Sequence, residues 1–288
     1  MKKNVAASVR ARLLDLARTR GEDFQLVLTR YVNERFLYRL ARSGHASRFV
    51  LKGATLFTLW RGNPHRATRD LDLLGFGDSS IDSVRDFLTQ VVATSVQPDG
   101  VAFDAQSLVV GPIREDQEYG GVRGTLVARL GSARVKAQID VGFGDAITPD
   151  AEVAALPVLL DLPAPHLRVY PRETVVAEKV EAMCKLGLAN TRMKDFYDLF
   201  VLSRMSSFDD ELVARAIAAT FERRGTELPR EAPIALTAAF HGDDAKRQQW
   251  RAFLRKSNAD DLGDPPAVIA EVREFVLPAL LAAGSARA

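Results

Sequence analysis

Two aspartates separated by one residue, Asp70 and Asp72, lie in the segment RDLDL that begins at Arg69. The leucines beside them predict a β-strand, on which residues i and i+2 point to the same face. The two carboxylates would then lie side by side, where they repel each other unless a cation binds between them. Oxygen ligands of this kind select Mg²⁺ or Mn²⁺. Taken alone, such a pair is more often an ordinary surface feature of a strand end.

Two further segments strengthen the prediction of a nucleotide-binding site. Residues 52–55, Lys-Gly-Ala-Thr, follow a predicted strand and open a predicted helix, where glycine permits close approach and helix N–H groups can bind phosphate. Asp140 lies between apolar residues on a later predicted strand, where a carboxylate needs a compensating partner such as a metal. This order of parts resembles a nucleotidyltransferase of the polymerase-β superfamily. In such an enzyme, two metals held by three carboxylates activate a hydroxyl and stabilise the leaving pyrophosphate.

Four segments occur in the order of one family: FVLKGATL (49–56), RATRDLDL (66–73), ETVVAEK (173–179) and RMKDFYDL (192–199). They resemble the AbiEii/AbiGii-type (MenT-like) nucleotidyltransferase toxins of bacterial toxin–antitoxin and phage-defence systems. The resemblance implies a catalytic set of Asp70, Asp72, Lys179 and Asp198, and a metal-binding set of Asp70, Asp72 and Asp140. It also implies a nucleotide-binding set of Lys52, Gly53, Thr55, Thr68, Arg69 and Asp195.

The chain departs from the family pattern at Ala54, where the family has a second glycine or a serine. The resemblance further implies that Thr68 occupies a position that can be phosphorylated, and a phosphate beside the carboxylates would block nucleotide binding. Lys179 would supply a point charge to the triphosphate. Asp195 and Asp198 are three residues apart, so they share a helix face and could orient this lysine or a substrate hydroxyl. Without the other segments, Lys179, Asp195 and Asp198 would be interpreted as ordinary residues of a helix surface.

The resemblance implies a polymerase-β-like nucleotidyltransferase core with a mixed sheet, and the hydrophobic pattern predicts an α/β (α+β) fold. It divides the chain into a basic helical arm (1–48), the core (49–165) and a helical domain (166–288). Expected strands are 49–51, 71–76, 101–110, 122–130 and 134–141, with turns at Gly-Pro and Gly-Ser pairs and a hairpin around Gly131-Ser132. Expected helices are 5–18, 22–43, 54–60, 81–94, 172–187, 194–205, 209–224, 244–256 and 265–283, and residues 157–171 form a proline-containing crossing.

The composition is that of a folded globular chain, with 47% hydrophobic and 26% charged residues among 288. A single cysteine and the lack of a long apolar run predict a cytoplasmic protein without a membrane partner. The net charge is +2, yet residues 1–52 hold twelve Lys/Arg against four acidic residues, a local excess of +8. This segment is either a polyanion-binding arm or a solvated helix face. If the segment binds RNA, Arg35, Arg39 and Arg42, which are four and three residues apart on one predicted helix, can form a single RNA-binding stripe.

The leading hypothesis is a toxin that uses Mg²⁺ (or Mn²⁺) to transfer NMP from an NTP to RNA. The family implies the 3′ end of tRNA as acceptor, a block of translation as the consequence, and a cognate antitoxin as partner. A second hypothesis is nucleotidyl transfer to a protein or a small molecule. A third is a nucleotide-binding regulatory protein without turnover, which the intact set of carboxylates and lysine argues against.

Overall fold

Seven β-strands form one mixed sheet in the computed structural model, which describes residues 4–113, 121–205, 207–257, 259 and 262–285. They are β1 (Phe49–Lys52), β2 (Asp70–Gly75), β3 (Val101–Pro112), β4 (Val122–Leu130), β5 (Ala133–Phe143), β6 (Glu152–Ala155) and β7 (His166–Val169). Their order across the sheet is β3-β4-β5-β2-β1-β7-β6. The pairs β2–β5 and β1–β7 are parallel, and the other neighbours are antiparallel. The predicted mixed sheet is confirmed.

The chain divides into two compact units, and the sheet belongs to the first, which comprises Met1–Pro64, Thr68–Gly144 and Glu152–Val169. Its helices are α1 (Val5–Arg20), α2 (Phe24–Arg42), α3 (Leu56–Arg61) and α4 (Ile81–Ala93). Side chains of Asn4, Asp23 and Ser80 accept backbone N–H groups at the starts of α1, α2 and α4, as helix-capping residues do. Residues 4–48 thus share one compact unit with the sheet.

Most of helix α2 is buried within the first unit, and of the predicted stripe only Arg42 is exposed, which overturns the predicted RNA-binding stripe. Arg35 is fully buried, and it donates a hydrogen bond to the Pro163 carbonyl oxygen at 3.0 Å. Arg39 donates two hydrogen bonds to the Asp99 carboxylate, at 2.7 and 3.2 Å. The prediction was wrong because arginine spacing on a helix does not reveal which acidic and carbonyl groups the distant chain brings to that helix.

The second unit comprises His65–Ala67, Asp145–Ala151 and Tyr170–Ala288. Its helices are α5 (Arg172–Leu186), α6 (Met193–Ser203), α7 (Asp210–Arg224), α8 (Ala238–His241), α9 (Asp244–Ser257) and α10 (Pro265–Ser285). Arg224 on α7 forms ion pairs with Asp145 at 2.9 Å and with Glu181 of α5 at 2.9 Å. Through this arginine, the segment 145–151 is linked to both helices. The helical nature of this region is confirmed.

Two local predictions were wrong, and one strand was not predicted. Strand β7 lies within the predicted crossing 157–171, and β6 lies where no strand was expected. Gly111 and Pro112 belong to β3 and form no turn. The two missed strands have four residues each, which is too short for a period-two pattern to show, and β7 is placed by its parallel pairing with β1.

Within the described residues, no helix has the length and apolarity that a membrane crossing requires.

Candidate active site

A row of four charged residues crosses the middle of the sheet. Direct cross-strand partners are Lys52 of β1 with Asp72 of β2, Asp72 with Asp140 of β5, and Asp140 with Arg123 of β4. Direct partners on neighbouring strands point to the same face of a sheet. Two carboxylates are therefore adjacent on one face, with a cation at each end of the row.

Asp70 adds a third carboxylate to this face, because it lies two residues before Asp72 on β2. Oxygen atoms of Asp70, Asp72 and Asp140 lie within 4.8 Å of one another. Asp140 is buried, and the other two are half-buried. Three oxygen-only ligands so close together fit a hard divalent cation such as Mg²⁺ or Mn²⁺, whose charge would relieve their repulsion. We call these three residues the carboxylate cluster.

Arg123 was absent from the predicted site residues, yet it contacts the carboxylate cluster directly. Its guanidinium donates two hydrogen bonds to Asp140, at 2.8 and 2.6 Å. These bonds raise the pKa of Arg123 above its ordinary value, so the residue is a permanent cation. The sequence holds no signal for this contact, because it depends on the register of β4 against β5.

The predicted glycine turn lies directly against the carboxylate cluster. Gly53 has a φ of +79°, and a Cβ atom there would lie 2.1 Å from Oδ2 of Asp72. A side chain at this position would therefore displace the carboxylate. Lys52 and Thr55 on either side are half-buried. The predicted helix after the turn is the six-residue α3.

Two residues of the predicted nucleotide-binding set precede β2. The Thr68 hydroxyl donates a hydrogen bond to Oδ1 of Asp70 at 2.8 Å. A phosphate on this hydroxyl would add negative charge next to the carboxylate cluster. Arg69 is exposed, and its carbonyl oxygen accepts a bond from Asn33 at 3.4 Å.

In the second unit, the predicted residues Lys179, Asp195 and Asp198 are joined by ion pairs. The Lys179 ammonium on α5 lies 2.6 Å from Oδ2 of Asp198 and 2.9 Å from Oδ1 of Asp195, both on α6. Both carboxylates are 1% exposed. The aspartates are three residues apart, so one turn of α6 presents both to the same lysine.

Two residues next to each other complete the partners of Asp198. Arg66 donates to Oδ1 at 2.7 Å and to Oδ2 at 3.0 Å, and the His65 ring contacts Oδ1 at 2.6 Å. Neither residue was among the predicted site residues. Arg66 begins the matched segment 66–73, which was the available signal, whereas nothing distinguished His65 from a loop residue.

The charges of this group favour an anion. Three cations, Lys179, Arg66 and Arg192, face the two carboxylates, since Arg192 lies 2.8 Å from Oδ2 of Asp195. The sum is +1, and the cations and carboxylates together are named the lysine–aspartate cluster. Lys179 is 14% exposed and Arg192 is 49% exposed, so positive groups reach the solvent while the carboxylates do not.

The pKa values follow from burial and from these pairs. Burial raises the pKa of Asp198, but the charges of Lys179 and Arg66 outweigh it and hold this pKa well below its ordinary range. Burial lowers the pKa of Lys179, but Asp195 and Asp198 raise it more, so the ammonium stays charged. Burial lowers the pKa of His65 overall, so its ring is neutral at pH 7 and Nε2 donates to the carboxylate.

Known proteins resemble this chain in sequence and in fold. The sequence matches the model of a family described as nucleotidyl transferase AbiEii toxin, type IV toxin–antitoxin system, over residues 35–272. No curated protein matches it. The fold is similar to the crystal structure of JHP933 from Helicobacter pylori, with a TM-score of 0.53 at 15% identity, over 90% of this chain and 95% of that one. A second H. pylori structure, described as that of a nucleotidyltransferase, has a TM-score of 0.51 at 15% identity, over 89% and 97%.

Proposed function

The chain belongs to the nucleotidyl transferase AbiEii toxin family, and we propose that it transfers a nucleoside monophosphate to the 3′ end of an RNA. It is a nucleotidyltransferase of a toxin–antitoxin system. The acceptor in the proposal is tRNA, whose altered end could no longer be charged, so that translation stops. The cell would be protected by a cognate antitoxin.

The observation that supports the proposal most strongly is the carboxylate cluster on neighbouring strands β2 and β5. Asp70, Asp72 and Asp140 would bind Mg²⁺ or Mn²⁺, and such an ion would supply positive charge to the triphosphate and activate the attacking hydroxyl. Thr68 holds Asp70 through its hydroxyl, and Arg123 holds Asp140. These contacts fix the direction of both carboxylates before substrate binds.

The lysine–aspartate cluster would bind the triphosphate. Its excess positive charge and the exposed edge of Lys179 suit phosphate oxygens, while Asp195 and Asp198 fix the ammonium in place. In the reaction, the acceptor oxygen bonds to the α-phosphorus and the bond from this phosphorus to the β-phosphate oxygen breaks. Pyrophosphate and one proton are released. A fixed positive charge stabilises the negative charge that accumulates on the leaving group.

The decisive experiment supplies each of the four NTPs, labelled at the α-phosphate, to the purified protein with total RNA or total protein. We expect the label in RNA of tRNA size, at the 3′ end. Asp70→Ala and Asp72→Ala should abolish both labelling and growth inhibition, because each removes charge stabilisation of several kcal/mol from the transition state. Asp104→Asn on β3 is the matched control and should keep activity.

Label in protein or in a small molecule would refute the RNA acceptor and support the second hypothesis. Nucleotide binding without any labelled product would contradict transfer. An Asp72→Ala variant that is as toxic as the wild type at equal expression would refute the role of the carboxylate cluster.

A further inference from the structure

Helix α9 is the most basic helix of the second unit among the residues that the structure describes. It holds five basic residues and one acidic residue. Helices α5 and α7 hold three of each, and α6 and α10 each hold one basic and two acidic residues. This contrast marks α9 as a surface for an anionic partner.

Three of its arginines, Arg247, Arg251 and Arg255, are four residues apart and so form one stripe about 12 Å long. Arg251 and Arg255 are exposed, and within the described part of the chain neither has an ion pair, whereas Arg247 pairs with Asp244. The opposite face is buried through Trp250. The helix therefore uses one face for packing and exposes Arg251 and Arg255 on the other face to solvent.

Both ends of α9 are tied to segments that carry the lysine–aspartate cluster. At its start, the Lys246 ammonium donates a hydrogen bond to the Asn190 carbonyl oxygen at 2.9 Å, two residues before Arg192. At its end, the Ser257 carbonyl oxygen accepts the Ala67 N–H at 2.8 Å, and Ala67 follows Arg66 directly. The stripe is thus held at a fixed place beside the cluster.

The middle of α9 is tied to the same cluster by aromatic side chains. Trp250 and Phe253 lie 6.3 and 5.5 Å from Tyr197, measured between ring centroids. Tyr197 precedes Asp198, and its hydroxyl donates to the His65 carbonyl oxygen at 3.2 Å. Three separate contacts therefore fix the position of the arginine stripe relative to the residues that bind Asp198.

We propose that the stripe Arg247-Arg251-Arg255 binds the phosphate backbone of the RNA acceptor and places its end at the lysine–aspartate cluster. This inference rests on the proposed function, because it names the surface that recognises the proposed substrate. The chemistry recognised is a row of phosphates with no sequence preference, since arginine contacts to backbone phosphates carry no base information.

The test compares RNA binding without NTP, so that it does not depend on catalysis. The probe is a deacylated tRNA pool with a fluorescent 5′ label, measured by anisotropy over a series of salt concentrations. The variant is Arg251→Glu/Arg255→Glu, and the control with the same charge change is Arg215→Glu/Arg273→Glu, on α7 and α10. Both pairs are exposed, so both variants should fold, which thermal unfolding checks.

We expect the α9 variant to bind the tRNA at least about ten-fold more weakly. Its slope of log affinity against log salt should be less steep by about 1.5 units, as for two lost phosphate contacts. The control should match the wild type, and NTP affinity should be unchanged in both. With NTP present, the KM for RNA should rise while kcat stays the same.

An unchanged affinity and slope, or an equal loss in the control, would overturn the proposal. A loss of tRNA affinity confined to the variant Arg12→Glu/Arg18→Glu on α1 would also overturn it and would favour the basic arm. So would an α9 variant that binds RNA normally but is no longer neutralised by the antitoxin. The proposed function fails on a different result, namely wild-type labelling of protein in place of RNA. In that case the anisotropy series still decides whether α9 binds RNA.

Discussion

Arg123 and Asp140 face each other across the antiparallel strands β4 and β5, joined by hydrogen bonds of 2.8 and 2.6 Å. The arginine thereby places a positive charge against the carboxylate cluster, at the position where Asp140 would bind a metal. Arginine and metal ion are both attracted to the same carboxylate, and they repel each other.

Arg123→Gln should therefore strengthen the binding of a divalent cation. We expect the removal of one positive charge beside the cluster to raise the affinity for Mn²⁺ by about five-fold, which corresponds to a Coulomb energy of about 1 kcal/mol in a mostly hydrated site. Titration of Mn²⁺ followed by electron paramagnetic resonance measures this affinity directly. Arg129→Gln on the same strand, next to Asp104, should leave it unchanged. Weaker Mn²⁺ binding in Arg123→Gln would show that the arginine holds Asp140 in the binding geometry.

Gly53→Ala should destroy the carboxylate cluster, because the new Cβ would lie 2.1 Å from Oδ2 of Asp72. We expect loss of Mn²⁺ binding and of transferase activity, with the fold retained. The matched control is Gly62→Ala, at a φ of +78° with no atom within 4 Å of the added Cβ. Both variants bear the backbone strain of about 1–2 kcal/mol, but only the first displaces a carboxylate. Equal metal binding in the two variants would contradict this account of Gly53.

Lys179→Met should weaken NTP binding and lower the melting temperature. The substitution changes the net charge of the lysine–aspartate cluster from +1 to zero. It also leaves the buried carboxylates with fewer partners, which should lower the free energy of unfolding by about 3–5 kcal/mol. The double variant Lys179→Met/Asp195→Asn has the original charge again, so its stability should largely recover. Its NTP affinity, measured by calorimetry, should stay low if the ammonium contacts the triphosphate. Recovery of NTP affinity together with stability would reduce Lys179 to a structural ion pair.

Glu34 predicts a pH dependence of stability in the first unit. Burial raises the pKa of this carboxyl to about 7 from an ordinary value of 4.5. Between these values the folded chain binds more protons than the unfolded chain, so the free energy of unfolding falls as the pH rises. The expected fall is up to about 3 kcal/mol, and it ends near pH 7.

Glu34→Gln removes this proton exchange while an amide replaces the carboxylate that accepts the Leu159 N–H at 2.7 Å. Relative to the wild type, its free energy of unfolding should increase from pH 4.5 to pH 7, measured by urea titration at several pH values. The exposed Glu152→Gln should follow the wild type throughout. Parallel curves for Glu34→Gln and wild type would show that Glu34 titrates normally.

Features that repeat within a short segment were predictable from the amino-acid sequence alone. The helical stripes and strand alternation gave most elements, and the spacing of Asp70 and Asp72 placed both on one face of β2, because side-chain direction on a strand depends only on parity. The spacing of Asp195 and Asp198 likewise placed them on one helix face. The roles of these residues in catalysis remain predictions.

Contacts between residues far apart in the sequence depend on the tertiary structure. The register of β2 against β5 makes Asp140 the neighbour of Asp72, and that of β4 against β5 makes Arg123 the neighbour of Asp140. Arg39 is a buried ion-pair partner because the chain brings Asp99 to it, and not because of any feature of α2. Such contacts depend on strand register and helix packing over long sequence separations, and no periodicity within one segment contains that information.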